Sequence, residues 1–286
     1  MVLLPPANGS TNMHRRDFML SAAALSVAVQ SAQGDESSPD DLPDPMTFGH
    51  LRGRFVYDGE PPEPKPIEIF RDRGAFGELK LVDESLLVDH KTKGLANLLI
   101  ELIPPQGEAA PKLHAHRSYE KTAKDVVPLE YKGGRITQRV VPVRPTQTLK
   151  IANSDPVGHH FRVHFKASPS HSVVLAPGSS HEVKLKDAEP FPTPVFSNIH
   201  PWIRSYIVAR DNPYHAVTGG DGRFEFRNIP LGEWTFRLWH EQSGYVTRFT
   251  TGGKQVELPQ RTWKIKIRAA VTDLGEIKVP PEVFAR

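Results

Sequence analysis

The sequence contains no cysteine, which excludes disulfides, thiolate nucleophiles, iron–sulfur clusters and any metal site that needs cysteine sulfur. Neither sign of charge dominates. The 36 basic and 33 acidic residues leave a formal charge of +3 over 286 residues, too even a balance for a nucleic-acid groove. No Gly-x-Ser-x-Gly elbow, phosphate loop or dinucleotide fingerprint occurs. What is plentiful is turn chemistry: 27 prolines and 21 glycines argue against a helix bundle and for short strands joined by turns. With 38% hydrophobic residues the chain can fill one large or two modest cores, so the expected fold class is all-β.

Residues 13 to 32 read MHRRDFMLSAAALSVAVQSA and resemble a twin-arginine export signal. Arg15, Arg16 and Phe18 match that pattern, while Met19 and Leu20 replace its usual Leu and Lys. The apolar run ends near Val29, short of the ~20 residues that cross a bilayer. With no cysteine after it, no lipid anchor is expected. Residues 1–32 are therefore expected to be a signal peptide, cleaved near Ala28 or Ala32, with Met13 as the true initiator. The product is expected to be periplasmic or extracellular and not membrane-spanning after cleavage. An ordinary amphipathic helix is the alternative. Residues 33–47, acidic and rich in proline, read as a disordered linker.

From Phe48 onward the chain alternates with period two. GRFVYDG (53 to 59), ANLLIELIP (96 to 104), RITQRVVPV (135 to 143), TLKIANSD (148 to 155), HSVVLAPGSSHEVKL (171 to 185), KQVEL (254 to 258) and TWKIKIR (262 to 268) read as strands. A further strand is expected from about Ile203 to Arg210. HHFRVHFK (159 to 166) places His159, Phe161, Val163 and Phe165 on one side and His160, Arg162, His164 and Lys166 on the other. His159 is expected in the core and His160 in water.

NSDPVGHHF (153 to 161), LAPGS (175 to 179) and VFSNIHPWIRSYIVARDNPYHAVT (195 to 218) resemble the cupredoxin domain of exported bacterial proteins labelled methylamine-utilisation-like. The resemblance covers about residues 112–216. It implies a Greek-key sandwich and a type-1 copper site whose first histidine falls on His159. The remaining ligands of that family, Cys, His and Met, fall on Ser197, His200 and Ile203. A neutral hydroxyl does not replace a thiolate in bonding or redox tuning, and isoleucine removes the axial sulfur. The fold is thus expected to persist and the type-1 site to be degenerate. Two readings of His159 and His200 remain. They bind Cu(II) or Zn with His160, Asp155 or water as a third ligand, or they hydrogen-bond to each other, to Ser197 or to backbone carbonyls.

AVTGGDGRFEFRNIPLGEWTFRLW (216 to 239) resembles a transthyretin-like, carboxypeptidase-regulatory-like β-sandwich, with a turn at Asp221 and Gly222 and a hairpin holding Pro230, Gly232 and Trp234. GRFVYDGEPP (53 to 62) and LANLLIEL (95 to 102) resemble its opening strands. The expected organisation is residues 48–111 as opening strands of that domain, 112–216 as the cupredoxin-like domain and 217–286 as the rest, either nested or sequential. Phe224, Phe226, Trp234 and Phe236 are expected in a core, not on a sugar platform. His114 and His116, two apart, are a solvated edge or a surface metal seat on a strand. His240 with Glu241 reads as a satisfied surface pair, and Asp58, Asp72, Asp83 and Asp89 form no calcium loop. The expected function is a non-catalytic exported protein without cofactor, serving binding or assembly with an unidentified protein partner. The alternatives are copper or zinc binding, periplasmic electron transfer, and a carbohydrate-binding accessory role.

Overall fold

The structure, a computed structural model, describes residues 47–105 and 113–285. The expected signal peptide, and the linker up to residue 46, lie outside the described residues. The described residues are almost wholly β, and no helix among them is long and apolar enough to cross a membrane.

Alternation decides which faces meet. In β12 (Arg223–Pro230) and β13 (Gly232–His240), the buried Phe224, Phe226, Trp234, Phe236 and Leu238 alternate with Glu225, Thr235 and Arg237. Each strand therefore offers one side to a core. The four aromatic rings expected in a core are there.

One sheet has the order β12, β1 (Phe48–Tyr57), β18 (Ala270–Val279), β15 (Arg248–Thr251), β16 (Lys254–Glu257). A second has the order β11 (His215–Val217), β2 (Leu99–Ile103), β13, β14 (Gly244–Tyr245), with β17 (Trp263–Ile267) also paired to β13. Leu51, Phe55, Ile100, Leu102, Phe236 and Phe249 are among the residues that close the core between them. Each such side chain stabilises the fold by roughly 1.5–3 kcal/mol on burial. Strands from both ends of the described chain complete these sheets: β1 pairs with β12 and β18, and β2 with β11 and β13.

The intervening residues build a second sandwich. One of its sheets runs β4 (Val140–Val143), β10 (Ser205–Ala209), β9 (Thr193–Phe196), β6 (His159–Val163), β7 (His171–Leu175). The other runs β3 (Val126–Tyr131), β5 (Thr148–Asn153), β8 (Ser180–Lys184). Their core includes Leu129, Tyr131, Ile151, Phe161, Val163, Val183 and Ile207. The sheet arrangement is thus an interrupted one, with this sandwich carried between the two parts of the outer one.

A small apolar cluster of Leu99, Val140, Val208 and Trp239 joins the two sandwiches. Beside it Arg139 Nη2 donates to Glu241 Oε2 at 2.7 Å and Arg210 Nε to Glu101 Oε2 at 2.6 Å. Both arginines belong to the inserted sandwich and both carboxylates to the outer one. All four side chains are largely withdrawn from water, so removing one partner strands a buried charge at a cost of roughly 3–5 kcal/mol.

Several expectations change. β12 and β13 lie in opposite sheets, separated by Leu231 alone, and do not form a hairpin. Residues 135–139 precede the strand, which begins at Val140. β3, β9, β11, β14, β15 and β18 were not anticipated as strands; β3 has Pro128 in its middle and β18 contains Gly275 at φ 64 beside a register shift, and both residues weaken a strand signal. His114 and His116 are not on a strand; His116 Nδ1 instead accepts the Ser118 N–H at 3.1 Å at the start of a 3-10 turn, Arg117–Tyr119. His240 and Glu241 are buried, not on the surface: Glu241 pairs with Arg139 at the joint between the sandwiches, and the His240 ring lies 5.3 Å from that of Phe284.

Candidate functional site

The site begins at the end of β5. Asn153 is buried; its Nδ2 donates to the Val157 and Leu175 carbonyls at 2.8 and 3.0 Å, and its Oδ1 accepts the Asp155 N–H at 3.0 Å. This Asx turn aims the Asp155 carboxylate inward. Gly133 and Gly134, at φ 65 and 70, adopt the left-handed conformation glycine tolerates. Their N–H groups donate to Asp155 Oδ1 and Oδ2 at 2.5 and 3.0 Å. Asp155 then receives His159 Nε2 at 2.9 Å. His159 opens β6, 0% exposed as expected, and stacks on Tyr131 with ring centres 4.5 Å apart.

His200, also 0% exposed, lies in the loop between β9 and β10. Its Nδ1 is 3.1 Å from Nδ1 of His159. Its backbone N–H donates to Ser197 Oγ at 3.0 Å, so that hydroxyl is engaged in shaping the loop. Ile203 packs in the inner core. Structure and sequence therefore agree in bringing His159 and His200 together.

His160 does not face water. It is 8% exposed, with Nε2 3.0 Å from Ser172 Oγ and Nδ1 accepting the Asn198 N–H at 3.2 Å. Neighbouring strand β7 and the 196–198 segment cover the outer side of β6 there, which alternation within one strand cannot reveal. Asp155 is likewise not a third ligand in this arrangement: it holds the far side of His159.

The sequence reading did not connect Asp72 and Phe76 with this site. Between β1 and β2 the chain makes an excursion closed at its base by Ile67 N–H to Leu81 O at 2.9 Å and Asp83 N–H to Lys65 O at 2.8 Å. This strap carries one helical turn, α1 (Arg73–Phe76). Asp72 precedes it at φ 47 and makes no capping bond with its side chain, although aspartate usually caps there. Its Oδ2 instead lies 2.7 Å from His200 Nε2. Phe76, 1% exposed, has its ring 5.4 Å from His200 and 6.0 Å from His159. Glu84 secures the strap by pairing with Arg135 at 2.5 Å. An aspartate ahead of a short turn was the available signal, but its partner lies 128 positions away.

The four groups form one line: Asp155, His159, His200, Asp72. A carboxylate accepts, so each Nε2 carries a hydrogen. The two Nδ1 atoms then face each other as lone pairs unless a further proton or a cation lies between them. Burial pushes His159 below its ordinary value, and the hydrogen bond it donates to Asp155 opposes that shift. Burial, then Arg162, also lowers His160.

The donor set does not fit type-1 copper. That centre requires a thiolate, and neither Ser197 nor any other residue of the sequence supplies one. No group of three or more His, Cys, Asp or Glu placed to hold a metal occurs among the described residues.

Fold and site together define a β protein of two sandwiches with an enclosed imidazole pair in the inserted one. No family model matches the chain, and no curated protein matches it. Among solved structures it is similar in part to an oxidised point mutant of amicyanin, with a TM-score of 0.26 and 11% identity over 30% of this chain and 82% of that one. A purple cupredoxin from Nitrosopumilus maritimus gives a TM-score of 0.25 and 12% identity over 29% of this chain and 99% of that one. A copper-containing nitrite reductase from Thermus scotoductus gives 0.28 and 13%, covering 38% of this chain and only 25% of that chain. None of these likenesses says what this chain binds.

Proposed function

We propose that the protein is an exported, non-catalytic binding or assembly protein in which a cupredoxin-like sandwich has become a structural element. The observation that carries this reading is the strap: a segment outside that sandwich places Asp72 on His200 and Phe76 against both imidazoles. In an electron carrier the imidazole pair would have to hold a cycling metal ion near a partner's donor. Here the chain's own residues cover it. The absence of thiolate from the whole sequence points the same way. The outer sandwich, transthyretin-like by its turn and core residues, contributes the strap and the buried carboxylates Glu101 and Glu241.

A second reading, copper(II) or zinc held between the imidazoles, is favoured by one feature. Each Nε2 faces a carboxylate oxygen, the outer contact that commonly orients ligating histidines.

The double substitution Ser197→Cys and Ile203→Met tests the assignment of the loop. Given copper, the double variant is expected to develop an intense visible thiolate-to-copper band, while the parent protein stays colourless. A colourless double variant that binds copper overturns the loop assignment. Stoichiometric copper or zinc bound by the parent and lost in His200→Gln overturns the structural reading.

A further inference from the structure

A second imidazole pair sits elsewhere in the inserted sandwich. His171 on β7 alternates with Val173 and Leu175, and His181 on β8 alternates with Val183. Leu175 and Val183 are core residues and Val173 packs against that core, so both histidines occupy the inward side of their strands. The strands belong to opposite sheets, and the two rings meet across the sandwich at positions where the pattern calls for apolar side chains.

Nε2 of His181 lies 3.3 Å from Nδ1 of His171, with ring centres 5.4 Å apart and planes at 64°. Both residues are half-buried. Neither has another polar partner among the described residues; in particular, no carboxylate holds the far nitrogen of either ring.

We propose that His171 and His181 form an exchangeable site for a divalent transition-metal ion, with copper(II) held more tightly than zinc. Two nitrogens bound to one tetrahedral ion at 2.0–2.1 Å stand about 3.3 Å apart, so the rings need little rearrangement. Imidazole is a suitable donor for both ions, and the usual order of divalent affinities places copper(II) first. Burial, and then the neighbouring His181, lower the value of His171, which keeps a lone pair available at neutral pH. On binding, the bridging hydrogen moves to the far nitrogen of its own ring, so both facing nitrogens ligate and the pair stays neutral. Water fills the remaining positions, which makes the ion exchangeable.

The test is a titration of the full-length protein with copper(II), then with zinc, followed by calorimetry and by histidine ring resonances. One equivalent of copper(II) is expected to broaden the His171 and His181 resonances first. His171→Gln and His181→Gln are each expected to weaken copper binding by more than about tenfold, with the thermal midpoint in the absence of metal little changed. Unchanged affinity in both variants overturns the proposal. So does first broadening at His159 and His200, which needs no variant to observe.

Discussion

Two pairs of imidazoles in one sandwich have nearly the same contact, 3.1 Å in His159–His200 and 3.3 Å in His171–His181, and opposite surroundings. The first is fully enclosed, with a carboxylate on each outer nitrogen and an aromatic ring over it. The second is half-buried and has no carboxylate. What an imidazole pair can do is thus decided at its outer nitrogens. Anchored at both ends and enclosed, it ties a strap to a core; left unanchored and half-buried, its rings can shift their hydrogens and reach an ion from solvent.

The comparison breaks most severely at Phe76. Phe76→Ala removes a buried ring from above the first pair and is expected to cost roughly 3–5 kcal/mol in urea unfolding. An equal cost from His181→Leu would erase the distinction between the pairs.

Acid sharpens the contrast with histidines that have no imidazole partner. Burial pushes His240 and His215 from 6.5 down to about 4, with Arg139 adding to the effect at His240 and Arg144 and Arg210 at His215. The unfolded chain takes up these protons first as pH falls. Their stabilisation is therefore whole above pH 6.5 and is lost toward pH 4, about 3 kcal/mol for each. His240→Gln is expected to flatten part of the decline in the urea midpoint between pH 7 and 5. A variant with the parent's full decline would contradict that assignment.

Asp72→Asn keeps the size of the side chain and weakens a charge-assisted bond at a partly exposed position. A loss of roughly 1–2 kcal/mol is expected, with faster amide exchange across residues 66–82 as the specific sign. An exchange pattern identical to the parent's would detach the strap from His200. The smallest effect belongs to the second pair. His181→Leu restores an apolar residue at an inward position and is expected to shift stability by less than about 0.5 kcal/mol in the absence of metal.

Much of the inserted sandwich was legible in the sequence because its signals are local. HHFRVHFK alternates cleanly, so His159 was assigned to the core, and the Asn153–Asp155 turn beside it marked the start of the site. His200 was found through the resemblance of its loop to the cupredoxin ligand loop. Asp72 and Phe76 were not found, since the contacts that bring them to His200 join segments more than a hundred positions apart. His160 was misjudged for a related reason: alternation tells which side of a strand a residue occupies, not whether another segment covers that side. β3 and β18 were missed because Pro128 and Gly275 interrupt the pattern that alternation relies on. The meeting of His171 with His181 required knowing that β7 and β8 lie in opposite sheets.

Voltammetry of the His171→Gln variant saturated with copper bears most directly on the claim that the enclosed pair ties the strap to the core and carries no electrons. With the unanchored pair disabled, the account predicts no reversible copper couple. A reversible one-electron couple that disappears when His200→Gln is added would contradict it.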